Sequence, residues 1–301
     1  MPDFWTHLIA GEEIAAGIDN KDIKSLLDQN YQLFNYGCQG ADFFFYNDFL
    51  PWQRAKIGPK KGEMVHSLSG KKLFSELLTA YKRRGVYSQA QLPDSKLWQD
   101  NLIYLLGFIS HYALDRECHP FIIENGGRDE KHKLIEASID VYMMSQKWNQ
   151  SPVEVNPLPY YQLQEEHFMS LNYYYQLIFN SIFEEELEKQ LVWESYLDFR
   201  KYHKTFFAKG TKKYYLFKFL NLILPQNLSQ HCYALNEKED IWPAENYQEF
   251  EKYYLSGIKS AQKLIEQTLN YFQSAVSLTE LLALFSTKNF LGEDKSDWSR
   301  E

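Results

Sequence analysis

Two stretches carry residue types that do chemistry: HYALDRECHPF, residues 111–121, and HKLIE, residues 132–136. Three of the chain's eight histidines, His111, His119 and His132, fall within them. His111 and Asp115 stand four apart, as do His132 and Glu136. Residues at that spacing share one face of a helix, their Cβ atoms about 5–6 Å apart. An imidazole and a carboxylate so placed can share a small divalent cation, and that ligand mix suits zinc. His119 lies four residues beyond Asp115, but Pro120 biases it away from helix and is expected to mark a helix break. GRDEK (127–131) then turns the chain back, so two antiparallel helices would hold five candidate ligands.

The competing reading is a buried polar network. The sequence around His111, LIYLLGFISHYAL, is strongly apolar, and a polar stripe on a buried helix must be satisfied because an unpaired buried charge is expensive. Metal ions would satisfy it. Gly107 lies four residues before His111, and Gly11 four after His7. Glycine inside a helix costs about 0.5–1 kcal/mol relative to alanine. Close approach of other helices to a crowded site explains both, and so does plain helix–helix contact. Asp42, after GCQGA, is either a loop-presented ligand or a helix N-cap. His66, in MVHSLSG, is read as a loop residue just before a helix. His167, His203 and His231 have no carboxylate at matching spacing and read as surface or ordinary helix residues. Cys118 reads as a small buried hydrophobe.

Helical periodicity must position these groups, since convincing alternating strands are absent. Helices are expected over 6–16, 21–35, 69–84, 96–117, 130–148, 162–184, 185–207, 211–223, 245–274 and 277–287. The Pro-rich stretch 151–159 divides a single all-helical domain (1–301) into a metal-site half, 1–150, and a helical half, 151–291. The tail, 292–301, reads as frayed.

Of the 301 residues, 45% are hydrophobic and 17% aromatic, enough for a sizeable core. The net charge of −8 and the lack of a basic stripe argue against duplex nucleic acid. RAKIGPKK (54–61) reads as a solvated loop. Three cysteines without paired spacing offer no disulfide framework. The N-terminal sequence lacks the pattern of a signal peptide. YYLFKFLNLIL (214–224) is too short to span a membrane and carries Lys218. A soluble cytoplasmic protein is expected.

Taken in order, THLIAGEE, GCQGADFFFY, VHS, HYALDRECHPF and HKLIE resemble the zinc-dependent phospholipase C family. The opening is similar to unprocessed, cytoplasmic-type members rather than secreted ones. The resemblance implies a multi-helical bundle with two to three zinc ions at the bottom of a cleft, and no β-domain. It implies that Asp42, His66, His111 and Asp115 hold one ion and that His119, His132 and Glu136 hold a second. His7 and a bridging Asp115 belong to a third. Secreted members complete that third site with an N-terminal tryptophan exposed by cleavage. Here Trp5 is internal, and Asp3 is the residue that could substitute.

The implied reaction is hydrolysis of a phosphodiester or phospholipid headgroup, water on the metals attacking phosphorus. Asp42 would be both ligand and proton acceptor. Peripheral membrane contact is compatible with such a substrate. Two alternatives stand: a single-strand nuclease-like hydrolase of the same fold, and a non-catalytic metal-binding protein. Seven or eight ligands for two or three ions leave coordination positions open, which favours catalysis.

Overall fold

The apolar run LIYLLGFISHYAL forms the middle of the longest helix, Lys96–Gly126, in which every residue from Asp100 to Arg116 is buried. A helix that is apolar all round has to lie inside the molecule. The computed structural model describes residues 4–49, 56–83, 95–127, 130–207, 212–222 and 241–295. Among these lie α1 (Phe4–Ala16), α2 (Lys21–Gln29), α3 (Tyr31–Gly37), α4 (Ile57–Ser67), α5 (Gly70–Arg83), α6 (Lys96–Gly126), α7 (Glu130–Trp148), α8 (His167–Ile178), α9 (Leu191–Phe206), α10 (Lys212–Leu220), α11 (Ala244–Phe272) and α12 (Leu278–Phe285). A short 3₁₀ turn covers Asp42–Tyr46.

The fold is all-α: the described residues contain no sheet, only an isolated bridge between Lys288 and Asp294. Helix α6 is the axis, packed by α1, α3, α7, α8 and α11. One continuous apolar cluster runs from Phe4 through α6 to Phe290. No described helix is long and apolar enough to cross a membrane.

Several elements differ from the sequence expectation. RAKIGPKK, read as a solvated loop, is helical from Ile57 onward, and the helix expected over 185–207 starts only at Leu191. The helix expected over 21–35 is two, broken at Asn30, whose side chain binds the Leu26 carbonyl. His66 lies inside α4 rather than in a loop. Its glycines were the misleading signal. Gly58 sits within 2.6 Å of the Phe44 carbonyl, measured from the Cβ it lacks, and Gly62 meets the Phe45 ring. They let α4 lie close on the Asp42–Tyr46 turn.

Pro120 does not end α6, which continues to Gly126. A helix-interior proline costs a hydrogen bond. The turn beyond it offsets this by burial: Phe121 stacks on Tyr253 at 4.8 Å and meets Trp242 at 5.4 Å. Residues 292–295 are tied down rather than frayed. Asn289 Oδ1 accepts from the Glu293 amide, and the Lys295 amide donates to the Thr287 carbonyl. Asp3, Arg128, Asp129, His231, Cys232 and residues 296–301 lie outside the described residues.

Candidate metal centre

Helix α1 supplies His7, and a buried carboxylate aims that helix. Asp140, on α7, accepts the Trp5 amide (2.8 Å), the Thr6 amide (2.8 Å) and the Thr6 hydroxyl (2.6 Å). These donors belong to the first turn of α1, where amides have no partner within the helix and a negative charge is favoured. On α7, His132, Glu136 and Asp140 follow at intervals of four. One stripe therefore presents two candidate ligands and the clamp on a third.

Asp42 is presented by a turn pressed against α6. Gly37 and Gly107 form the crossing of α3 and α6. A Cβ on Gly107 would stand 2.4 Å from the Phe34 carbonyl oxygen, and one on Gly37 2.6 Å from that of Tyr104. Gly11 likewise faces the Cys38 sulfur at 2.8 Å. Gly40 adopts φ +54, and its absent Cβ would fall 2.0 Å from the His111 ring. Only glycine meets both demands. The Gly40 carbonyl accepts from the Tyr104 (2.8 Å) and Tyr175 (2.9 Å) hydroxyls, which fix the turn.

These elements bring all eight predicted residues into one region. His66 Nε2 stands 2.9 Å from Asp42 Oδ1, and His111 Nε2 stands 3.8 Å from it. Asp115 Oδ1 faces His7 Nε2 at 3.2 Å, while its Oδ2 faces His111 Nε2 at 3.3 Å. His119, His132 and Glu136 form an adjoining group, with His132 Nε2 2.7 Å from Glu136 Oε1. The ligand atoms of three triplets each lie within 4.8 Å of one another: His7, Asp42 and His111; His66, His111 and Asp115; His119, His132 and Glu136.

Four rings are oriented from behind. The Nδ1 atoms of His66, His111, His119 and His132 lie against the carbonyl oxygens of Gly62 (2.8 Å), Cys38 (3.2 Å), Phe290 (2.7 Å) and Gly127 (2.7 Å). A carbonyl on Nδ1 selects the tautomer whose Nε2 is a bare lone pair, the arrangement a metal-binding histidine needs. The Phe290 ring also covers His66 (centroids 4.8 Å apart) and His111 (5.6 Å).

His111 Nε2 and both oxygens of Asp115 are buried without a satisfying hydrogen bond, and Asp42 Oδ1 and His66 Nε2 face chiefly each other. Buried polar atoms are rarely left so, and each carries a desolvation cost. Burial drives the His111 imidazole down to about 4 and that of His119 well below its ordinary value, keeping both neutral. Burial also pushes the Asp115 carboxyl up to about 6. Burial would raise Asp42 too, but His111 and the other histidines beside it outweigh this and hold it below the usual carboxylate range. Burial opposes the charge on His66, yet the Asp42 carboxylate raises it above its ordinary value. Neutral imidazoles and converging carboxylates make a donor set that fits small divalent cations.

A sequence model described as zinc-dependent phospholipase C matches residues 6–270. The chain belongs to the zinc-dependent phospholipase C family. No curated protein and no solved structure was found to match. Membership in this phospholipase C family carries zinc dependence and hydrolase chemistry of the phospholipase C type at family level. The match ends before Phe290, so the carbonyl behind His119 comes from a segment outside it.

Sequence reasoning missed several residues that build this cluster. Asp140 continues the His132–Glu136 stripe by one more helical step, a signal that was there to read. Tyr104, Tyr175, Cys38 and Phe290 act through tertiary contacts that no local spacing encodes. His203, expected as a surface or ordinary helix residue, is a buried residue of α9, 4.3 Å from the Phe4 ring and 4.5 Å from Phe199, and burial drives its imidazole down to about 3. His167 is buried as well, and neither residue joins the cluster.

Proposed function

We propose that this chain hydrolyses a phosphodiester, with a phospholipid headgroup as the substrate class, at a site held by His7, Asp42, His66, His111, Asp115, His119, His132 and Glu136. The observation that carries this reading is the set of buried, converging, unsatisfied ligand atoms around Asp115. A structural polar network would pair them, whereas a bound cation satisfies all of them at once. Zinc bound there supplies positive charge to phosphate oxygens and acidity to a coordinated water.

The chain's own residues do the rest. The carbonyls of Gly62, Cys38, Phe290 and Gly127 hold four imidazoles in the ligating tautomer. Asp115, with one oxygen facing His7 and the other facing His111, would help hold the zinc. Asp42, kept anionic by its histidine neighbours, is the group placed to take a proton as water attacks phosphorus. Ligand count favours catalysis: eight side chains shared among two or three ions leave positions for water and substrate.

The test is turnover of a chromogenic phosphodiester by protein purified without chelator, with metal content measured on the same sample. Two to three zinc ions per chain and activity abolished by chelator are expected. Tightly bound zinc with no hydrolysis of any phosphodiester would return the site to a non-catalytic metal-binding role.

A further inference from the structure

The net charge of −8 hides a strong asymmetry. Residues 199–236 contain no aspartate or glutamate, yet hold seven lysines and arginines. Helix α10 and its following turn lie in this stretch, and they carry four of the eight large apolar side chains exposed among the described residues. Leu222 is 81% exposed, Phe219 59%, Tyr215 55% and Leu216 53%. A step of 100° per residue puts all four on one stripe of the helix. The opposite side is anchored: Phe217 meets Phe206 at 5.2 Å, and Leu220 packs on the same small cluster with Phe49 and Tyr202. Lys213 is committed to the end of α9, donating to the Lys204 and Phe207 carbonyls. Lys212 stands at the N-terminal end of the exposed stripe and Lys218 beside it.

We infer that α10 is a docking surface for an anionic phospholipid bilayer, lying in the headgroup plane with Leu216, Phe219 and Leu222 inserted among the acyl chains. A helix that presents aromatic and leucine side chains to solvent with lysines beside them can lie in a membrane interface. Charge complementarity decides the occupant. A segment that carries lysines and no carboxylates is attracted to anionic lipid, whereas symmetric pairing of two copies through this stripe would set Lys212 and Lys218 against the same lysines. Single-stranded nucleic acid would also meet lysines and aromatic rings, but it stacks on aromatic faces, and two of the four exposed residues are leucines. The choice of lipid rests on the phospholipid-headgroup reading above. The surface also connects to the site: Phe206 meets Phe49 at 6.4 Å, and Phe49 follows the turn that presents Asp42.

The experiment is co-sedimentation of the full chain with vesicles of phosphatidylcholine, alone or mixed with phosphatidylserine. Binding to the mixed vesicles that weakens with added salt is expected. Leu216→Ser combined with Phe219→Ser should reduce partitioning at least about tenfold. Lys212→Glu should reduce it at least about fivefold. Leu255→Ser, at an exposed site on α11, should leave it unchanged. No binding of the wild-type chain to mixed vesicles at low salt overturns the inference, as does binding indifferent to the α10 substitutions. So does a solution dimer, or capture of a single-stranded oligonucleotide, that those substitutions abolish while vesicles are ignored. Sedimentation needs no turnover, so the two readings fail separately. Docking without hydrolysis removes the hydrolase and keeps the surface; hydrolysis of a soluble phosphodiester without docking does the reverse.

Discussion

At the scale of single residues, the centre is defined by competition between burial and charge. Asp115 is pushed up to about 6 by burial, and His66 is raised by Asp42. His66, raised above its ordinary value, and Asp115, from about pH 6 downward, hold protons that a cation must displace, so zinc affinity should fall as pH drops through about 6, by about tenfold per proton per pH unit. His111, driven down to about 4, and Asp42, held low, are already deprotonated there and add nothing. Isotherms in buffers of different ionisation heat should therefore register proton release near pH 6; an affinity flat from about pH 5 to about pH 7 would contradict the ligand roles of Asp115 and His66. His111→Ala and His132→Ala should each remove about one ion per chain while leaving the helical circular dichroism intact, since no triplet contains both residues. Unchanged metal content in both variants would sink the assignment.

At the scale of elements, the ligands are only as well placed as the segments that carry them. Asp140 ties the start of α1 to the stripe on α7. Asp140→Ala should cost about 1–3 kcal/mol in stability by leaving buried amides unpaired, and should weaken zinc at the His7 side; Asp140→Asn should recover part of both. A denaturant titration paired with a zinc isotherm reads the two effects.

The loop after α12 has a comparable role on the other side. Asn289 Oδ1 accepts from the Leu291 and Glu293 amides, which shapes the turn whose next carbonyl orients His119. Asn289→Ala should lower zinc affinity at the His119, His132 and Glu136 group about 10–100-fold with little change at the other ions. A uniform loss across all ions would instead indicate general unfolding.

At the scale of the whole molecule, a set of buried, mutually facing charges is a standing cost that a ligand relieves. A cation bound at about 100 times its dissociation constant adds about 2.7 kcal/mol per site. Chelation should accordingly lower the melting temperature by about 5–10 °C, and zinc should restore it. Scanning calorimetry of the chelated and reloaded protein checks this, and identical melting curves would argue that no ion occupies the centre.

The sequence alone determined the fold class and the candidate ligand pairs. Spacing of four on a helical chain is a local property, so His111 with Asp115 and His132 with Glu136 were legible as pairs, and the apolar surroundings marked α6 as buried. Motif order carried the family. What only the tertiary structure decided was how separate segments meet. Local rules placed His66 in a loop and a break at Pro120, because glycine content and proline sterics weigh against helix. Packing on the Asp42–Tyr46 turn and burial of Phe121 outweighed those local costs. Asp140 on the first turn of α1, and Phe290 behind His119, join residues more than a hundred positions apart. No periodicity encodes such contacts; they exist because one core brings the helices together.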